Sequence, residues 1–333
     1  MRVVGVNVMN RRQVLTGLGS AALGIMASGG SARAQSWPSR PLRMIVPFAP
    51  GGGADATGRI VAEALGNVLG QNVVVENRGG GGGTPGAAAV AQSAADGYTL
   101  LYGTPGPLIT NPILMKDMPY AVKDFAPVSL LTRGSYLLAV NADLPVRSVA
   151  DLIRLGKEKP GSLTFSSSGI GAGSHLAGEL LAVETGMQMV HVPYRGSGPA
   201  IQDVAAGRVN FTIDTYPIMI PLIDAGKLRP IAVSAATRMK ELPEVPTIAE
   251  TVPGFDVTVI NYLCVRAGTP RPLIDRLNAA LKTVLAEPEV IRRAAQAGAG
   301  DATWSSPEEL GGILKSESDK WRSVIQRAKI SIE

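Results

Sequence analysis

Three glycine-rich segments carry the chemistry most visible in this sequence: Pro47-Phe48-Ala49-Pro50-Gly51-Gly52-Gly53-Ala54-Asp55, Ser166 through Ser174, and Tyr194-Arg195-Gly196-Ser197-Gly198-Pro199. Each follows a strand-like run and opens a helix-like one. Glycine lets a backbone approach a ligand closely and aim its N–H groups at it. The helix start that follows adds free donors and about half a positive charge. Such a loop suits a carboxylate or a phosphate, and in α/β sheets loops of this kind line the ligand crevice. Neither Gly51-Gly52-Gly53 nor Gly79 to Gly83 is followed by the Lys-Ser/Thr of a P-loop, and no spacing matches a dinucleotide fingerprint.

A catalyst needs a nucleophile, a base or a metal, and this sequence is poor in all three. It has two histidines. His175 lies early in a helix and His191 at a strand end, both among apolar residues, where a packed, hydrogen-bonded imidazole is expected. No His/Cys/Asp cluster has metal-ligand spacing, and no Gly-x-Ser-x-Gly elbow follows a strand with a plausible triad order. No catalytic residue, metal or cofactor is expected. Ser166, Ser167 and Ser168 are read as hydroxyl donors to a bound carboxylate. Asp55 stands where an acid caps a helix. Asp214 ends a strand and is expected at the cleft, ordering water, holding a loop or meeting a ligand's amino or hydroxyl group. Arg195 is open to pairing with a carboxylate ligand or with a protein acid. Cys264, the only cysteine, excludes an internal disulfide and reads as a buried structural thiol.

These loops need a scaffold. Residues 43–47, 72–76 and 99–102 read as strands, alternating with helices over 54–69 and 84–94. This β-α-β-α-β rhythm predicts a mostly parallel sheet covered by helices. A second set begins at 137–140. Its helices span 149–158, started by Ser148, then 175–185 and 199–206; its strands span 163–166, 189–192, 210–214 and 231–234. An apolar strand-like run follows at 259–265, then helices over 272–285, 288–297 and 307–329. An architecture that leaves one sheet for another and returns predicts two lobes joined by more than one crossing, which act as a hinge. The expected boundaries are 35–137 with 258–333 for the first lobe and 138–257 for the second.

Residues 1–34 contain Arg2, Arg11, Arg12 and Arg33 but no acid. A weakly apolar run from Val14 to Ala27 and an Ala32-Arg33-Ala34 site complete the layout of a secretory signal cleaved before Gln35. The run is shorter than the ~20 residues that a membrane span needs. Asn10-Arg11-Arg12-Gln13-Val14-Leu15 is close to a twin-arginine signal, so both export routes stay open, as does a start at Met9. Removing the four arginines lowers the net charge from +5 to +1. The basic character belongs mainly to the leader and gives no reason to expect a nucleic-acid partner. The mature chain is expected outside the membrane, in the periplasm, and monomeric.

Several motifs together resemble the Bug family, the substrate-binding proteins of tripartite tricarboxylate transporters. They are Ile45-Val46-Pro47-Phe48-Ala49-Pro50-Gly51-Gly52 with Asp55, Val75-Glu76-Asn77-Arg78 with Gly79, Gly80 and Gly86, Asp96-Gly97-Tyr98-Thr99-Leu100, and Asn111-Pro112. In the second half they are Gly173-Ser174-His175-Leu176-Ala177-Gly178-Glu179, Val192-Pro193-Tyr194-Arg195-Gly196 and Ala267-Gly268-Thr269-Pro270. Tyr262 stands near a place that often carries Trp. The resemblance implies a type II periplasmic binding-protein fold with a carboxylate between the lobes. It implies that backbone N–H groups and ordered waters around Phe48, Ala49, Gly51, Gly52 and Asp55 hold one carboxylate. The segments containing Thr104 and Gly106, Ser167, Ser168, Gly173 and Ser174, and Tyr194, Arg195 and Gly196 would shape the remainder with Asp214.

An exposed helix terminus gives an anion about 0.3–1 kcal/mol, and up to ~2 when partly buried. Micromolar affinity needs about 8 kcal/mol. Exposed termini alone fall short, so a cleft that closes and excludes water is expected. Delivery to membrane permease subunits is the leading expectation for function. A ligand-sensing module for a two-component receptor is the second, and a small-molecule hydrolase or transferase the third.

Overall fold

The computed structural model describes Gly5 and residues 37–328. The leader-like segment and its cleavage site therefore lie outside the described residues, Gly5 excepted.

Strand β1 (Leu42–Val46) runs into helix α1 (Gly53–Leu69), β2 (Val73–Asn77), α2 (Thr84–Ala91) and β3 (Thr99–Gly103). Helix α1 buries Ile60, Val61, Leu65 and Leu69 along one face, as their spacing predicts, but Val68, expected on the same face, is exposed. A π-helical turn (Gly106–Thr110) and a short helix α3 (Asn111–Leu114) lead to β4 (Phe125–Ser135). The chain then passes through β5 (Leu137–Asn141), α4 (Val149–Glu158), β6 (Leu163–Ser167), α5 (Gly173–Thr185), β7 (Met189–Pro193), α6 (Ser197–Ala205), β8 (Phe211–Asp214), α7 (Tyr216–Asp224) and β9 (Leu228–Val233). It ends with β10 (Thr258–Arg266), α8 (Arg271–Val284), α9 (Pro288–Gln296), β11 (Asp301–Ala302) and α10 (Pro307–Ala328). Ser148 caps α4 as expected, its hydroxyl accepting from the Asp151 N–H at 3.1 Å.

The strands form two sheets, in the orders β11-β4-β10-β3-β1-β2 and β7-β6-β8-β5-β9. The expectation of mostly parallel sheets needs correction, because both are mixed. The β-α-β units supply the parallel pairs β1/β2, β1/β3, β6/β7 and β6/β8. β4, β5, β9 and β10, which lie next to the crossings between sheets, pair antiparallel, as do β5/β8 and β11/β4. A strand that re-enters a sheet from the far side arrives reversed, whereas a helical crossover restores direction. Two elements escape the periodicity reading. β4 is buried over Val128–Thr132 and shows no alternation. α7 carries Pro217 and Pro221 and buries only Met219.

Central strands are enclosed on both faces. Ile45, Leu101, Phe165, Phe211 and Tyr262 are all fully buried, each stabilising the fold by about 1.5–3 kcal/mol. Cys264 is enclosed as expected, and burial pushes its thiol well above the usual range. No helix among the described residues is long and apolar enough to cross a membrane.

The crossings between sheets are tied together. Tyr136 alone separates β4 from β5, and Ser234 immediately follows β9. The Ser234 hydroxyl donates to the Val257 carbonyl at 2.6 Å and accepts from the Tyr136 N–H at 2.9 Å. The Tyr136 carbonyl accepts from the Ser234 N–H, and the Ser234 carbonyl from the Val257 N–H. Ser135 adds an acceptor for the Ala235 N–H. Replacing Ser234 by Ala leaves a buried N–H and a buried carbonyl short of a partner. We expect Ser234→Ala to lose about 1–3 kcal/mol of unfolding free energy, measured by urea denaturation with an unchanged slope.

Candidate functional site

In the first sheet β1, β2 and β3 are parallel, so the loops after Val46, Asn77 and Gly103 emerge on one edge. The loop after β1 is fixed from beneath. Asp55, in the first turn of α1, is 5% exposed. Its Oδ2 accepts from the Gly51 N–H at 2.9 Å, and its Oδ1 from Asn77 Nδ2 at 2.9 Å. Arg59, one turn along, pairs with Oδ1 at 2.9 Å. Asn77 also donates to the Phe48 carbonyl at 3.1 Å. Burial alone would raise the Asp55 carboxyl, but the hydrogen bonds from Arg59, Gly51 and Asn77 outweigh it and hold the carboxyl below its usual range.

This bracing sharpens the expectation for Phe48 to Asp55. The Gly51 N–H is already spent on Asp55, and both Asp55 oxygens are engaged within the protein. The N–H groups of Gly52, Gly53, Ala54 and Asp55 donate to no described residue. Phe48 is half-buried, and Ala49, Gly51 and Gly52 are exposed. The glycine run after β2 supports this loop: a Cβ on Gly79 would lie 2.9 Å from the Ala49 nitrogen. Asn77 and Gly79 were legible only as family motif residues, because neither type announces a bracing role.

The second sheet repeats the arrangement at the ends of parallel β6, β7 and β8. The loops after β6 and β7 are stitched side by side: the Tyr194 N–H donates to the Ser167 carbonyl and the Gly196 N–H to the Ser168 carbonyl, both at 3.0 Å. Ser174 accepts from the Ser168 N–H at 3.0 Å, and its hydroxyl lies 2.9 Å from that of Ser168. At the start of α5 the N–H groups of Gly173, Ser174 and His175 have no acceptor among the described residues. Those of Ser197 and Gly198 at the start of α6 are likewise unmatched. Tyr194 turns away, its hydroxyl bonded to Asp203 at 2.6 Å. Arg195 is exposed and makes no ion pair with a described residue.

Asp214 is 2% exposed. Its Oδ1 accepts from Ser197 Oγ at 2.8 Å and from the Thr215 N–H at 2.7 Å, while Oδ2 has no partner among the described residues. Burial raises its carboxyl above the usual range, only partly offset by Thr215, Ser197 and Ser174. Thr104 Oγ1, Tyr102 OH and Ser166 Oγ are also buried and unmatched. All four orphaned atoms sit at or just past the ends of β3, β6 and β8, on the loop-bearing edges. Across the sheets, Thr110 donates to the Gly171 carbonyl at 3.1 Å, so the turn from Gly106 to Thr110 meets the β6–α5 loop.

The histidines are packed, as expected. Their rings stack 4.0 Å apart. His175 Nδ1 accepts from the Gly171 N–H at 3.1 Å, and His191 Nε2 lies 2.6 Å from Ser167 Oγ. Burial first, and then the neighbouring His175, lowers His191 to about 3. Ser167 is itself fully buried, so this contact fixes a loop and offers a substrate no exposed nucleophile. No cluster of three metal-ligating side chains occurs among the described residues.

The profile of the tripartite tricarboxylate transporter family receptor matches residues 57–330. The chain belongs to this family. Bordetella pertussis BugT is 36% identical over 321 residues, covering 96% of this chain and 97% of that protein. A protein from the tcbD–tcbE intergenic region of Pseudomonas sp. strain P51 is 38% identical over 327 residues, covering 97% and 96%. Among solved structures, R. palustris Rpa4515 with adipate has a TM-score of 0.81 and 37% identity, covering 89% of this chain and 99% of that one. MatC from Rhodopseudomonas palustris with bound malate has a TM-score of 0.77 and 30% identity, covering 87% and 100%. The two-sheet α/β architecture is thus the periplasmic binding-protein fold of this receptor family, and the chain is a solute-binding protein.

Asp55 gives the site a pH signature. Its carboxyl is lower in the fold than in the unfolded chain, so its contribution is present above the unfolded value of about 3.9 and is lost as pH falls through the folded one. We expect Asp55→Asn to be less stable by about 1–3 kcal/mol at pH 7, with the gap to the parent protein narrowing below about pH 4 in denaturant titrations.

Proposed function

We propose that this protein is exported to the periplasm, captures a small carboxylate between its two sheets, and delivers it to the membrane permease subunits of a tripartite transporter without chemically changing it. One observation carries the reading: unmatched N–H groups at the starts of α1, α5 and α6, all on loop-bearing sheet edges. Helix starts of this kind attract anions, and Asp55 and Asn77 hold the first of them in place before a ligand arrives. The carboxylates bound to two relatives, adipate and malate, fit the same chemistry.

The two sheets serve as lobes, with residues 35–137 and 258–333 in one and 138–257 in the other. The crossings tied by Ser135 and Ser234 form their hinge. A ligand that touches both lobes favours the closed state because only that state satisfies both sets of donors. Residues 1–34 act as the export leader. The buried Ser167–His191 contact and the lack of an accessible acid–base pair among the described site residues support capture without turnover.

A thermal-shift screen of the purified protein against dicarboxylates, tricarboxylates, aromatic acids and acidic amino acids tests the reading. A ligand present at 100 times its Kd adds about 2.7 kcal/mol of stability, so at least one acid should raise the melting temperature by several degrees and be recovered unchanged. No shift across the panel, or conversion of the acid, contradicts the proposal. Small-angle scattering with the identified acid should show a smaller radius of gyration; an unchanged radius contradicts closure.

A further inference from the structure

Tyr136 occupies an unusual position. It is the single residue between β4 and β5, so the chain passes from one sheet to the other through it. Its backbone is locked to Ser234 on both sides. Its side chain reaches the start of α5: a Cβ on Gly173 would lie 2.2 Å from the Tyr136 hydroxyl oxygen. Glycine at 173 therefore leaves room for the phenol beside the free N–H groups of that helix. The residue is half-buried, and its hydroxyl has no hydrogen-bond partner among the described residues.

Two further observations place this hydroxyl in the site. Asp214, 2% exposed, presents its orphaned Oδ2 in the same region, close enough for its charge to act on the phenol. Burial, and then that charge, push the phenol well above its ordinary value, so it keeps its proton and is available as a donor. Contacts also lead from here to the loop after β1. Ser135 lines one small recess with Pro217, Gly298 and Gly300, and a Cβ on Gly53 would lie 3.3 Å from the neighbouring Ala297 carbonyl. Ser135, the residue before Tyr136, thus shares a recess with the segment that adjoins the first turn of α1, and the Tyr136 hydroxyl lies at the first turn of α5.

We propose that Tyr136 is a specificity-determining residue, whose hydroxyl donates to a hydrogen-bond-accepting group at the far end of the bound acid while the loop from Gly52 to Asp55 holds the near carboxylate. This rests on the carboxylate reading above. The ligand class it selects is a short acid whose second end is a carboxylate, carbonyl or hydroxyl, against one that ends in alkyl. Asp214 acts through Tyr136 as a positioning residue and does not need to touch the ligand.

The test is titration calorimetry of the purified protein with adipate against hexanoate and succinate against butyrate. Tyr136→Phe keeps the ring over Gly173 and removes only the hydroxyl. Losing a hydrogen bond to a charged group weakens binding about ten- to a hundredfold. We expect that loss for the diacid the wild type binds, a change within about twofold for its monoacid counterpart, and an unaltered melting temperature without ligand. Gly173→Ala, which displaces the phenol, should likewise weaken the diacid more than the monoacid. Retention of diacid affinity in Tyr136→Phe, or an equal loss for both acids, overturns the proposal and leaves the carboxylate reading intact. A wild-type protein that binds neither a diacid nor its monoacid also overturns the proposal, whereas the carboxylate reading falls only if the wider panel of acids fails.

Discussion

The first N–H groups of a helix have no carbonyl to donate to inside that helix. Every feature of this site follows from how that constraint is met. Parallel strands bring the starts of α1, α5 and α6 to the strand-end edges of their sheets. Serine, threonine, aspartate or asparagine caps would satisfy the orphaned donors from within. Here the N-cap positions are Gly52, Ala172 and Gly196, none with a capping side-chain bond. The donors stay available, and glycine keeps side chains out of their way. A helix start left uncapped costs stability, and the unmatched groups at strand ends add to that cost. The fold offsets both with cores in which strands such as β1, β3 and β10 are buried along most of their length.

Two buried aspartates divide the work. Asp55 carries its own cation, Arg59, and its own amide, Asn77, so its charge is compensated and its oxygens are filled. It stiffens the loop without opposing an incoming anion. Asp214 forms no ion pair with a described residue and has one oxygen unmatched. In the proposed binding mode, the end at α1 is therefore locally neutral with spare donors, whereas the end at α5 contains an acid that disfavours bare negative charge unless a donor such as Tyr136 intervenes. Such polarity orients an asymmetric ligand.

Much of this is legible in the amino-acid sequence. The three glycine-rich loops, the strand–helix alternation and the Ser148 cap follow from local rules, and local rules suffice where neighbours in sequence are neighbours in space. The antiparallel pairing of β10 with β4 joins segments more than a hundred residues apart, and no window of sequence encodes it. β4 hid because its middle is buried on both faces and loses the period of two, and α7 because its prolines read as breaks. Among site residues, Asp55 was visible but its partners were not: the Asn77 amide and the missing side chain of Gly79 act only through the approach of two separate loops. Tyr136 was invisible for the same reason, since its proposed role depends on the approach of Gly173, distant in sequence.

The central claim is that the unmatched N–H groups on both sheets are occupied together by one ligand. Hydrogen exchange read by mass spectrometry, with and without a bound carboxylate, tests it most directly. Peptides covering residues 48–56 and 166–176 should gain protection together, at the same ligand concentration, while the exposed turn at 286–288 does not change. Protection confined to one of the two loops, or absent from both while the acid is demonstrably bound, would contradict the account.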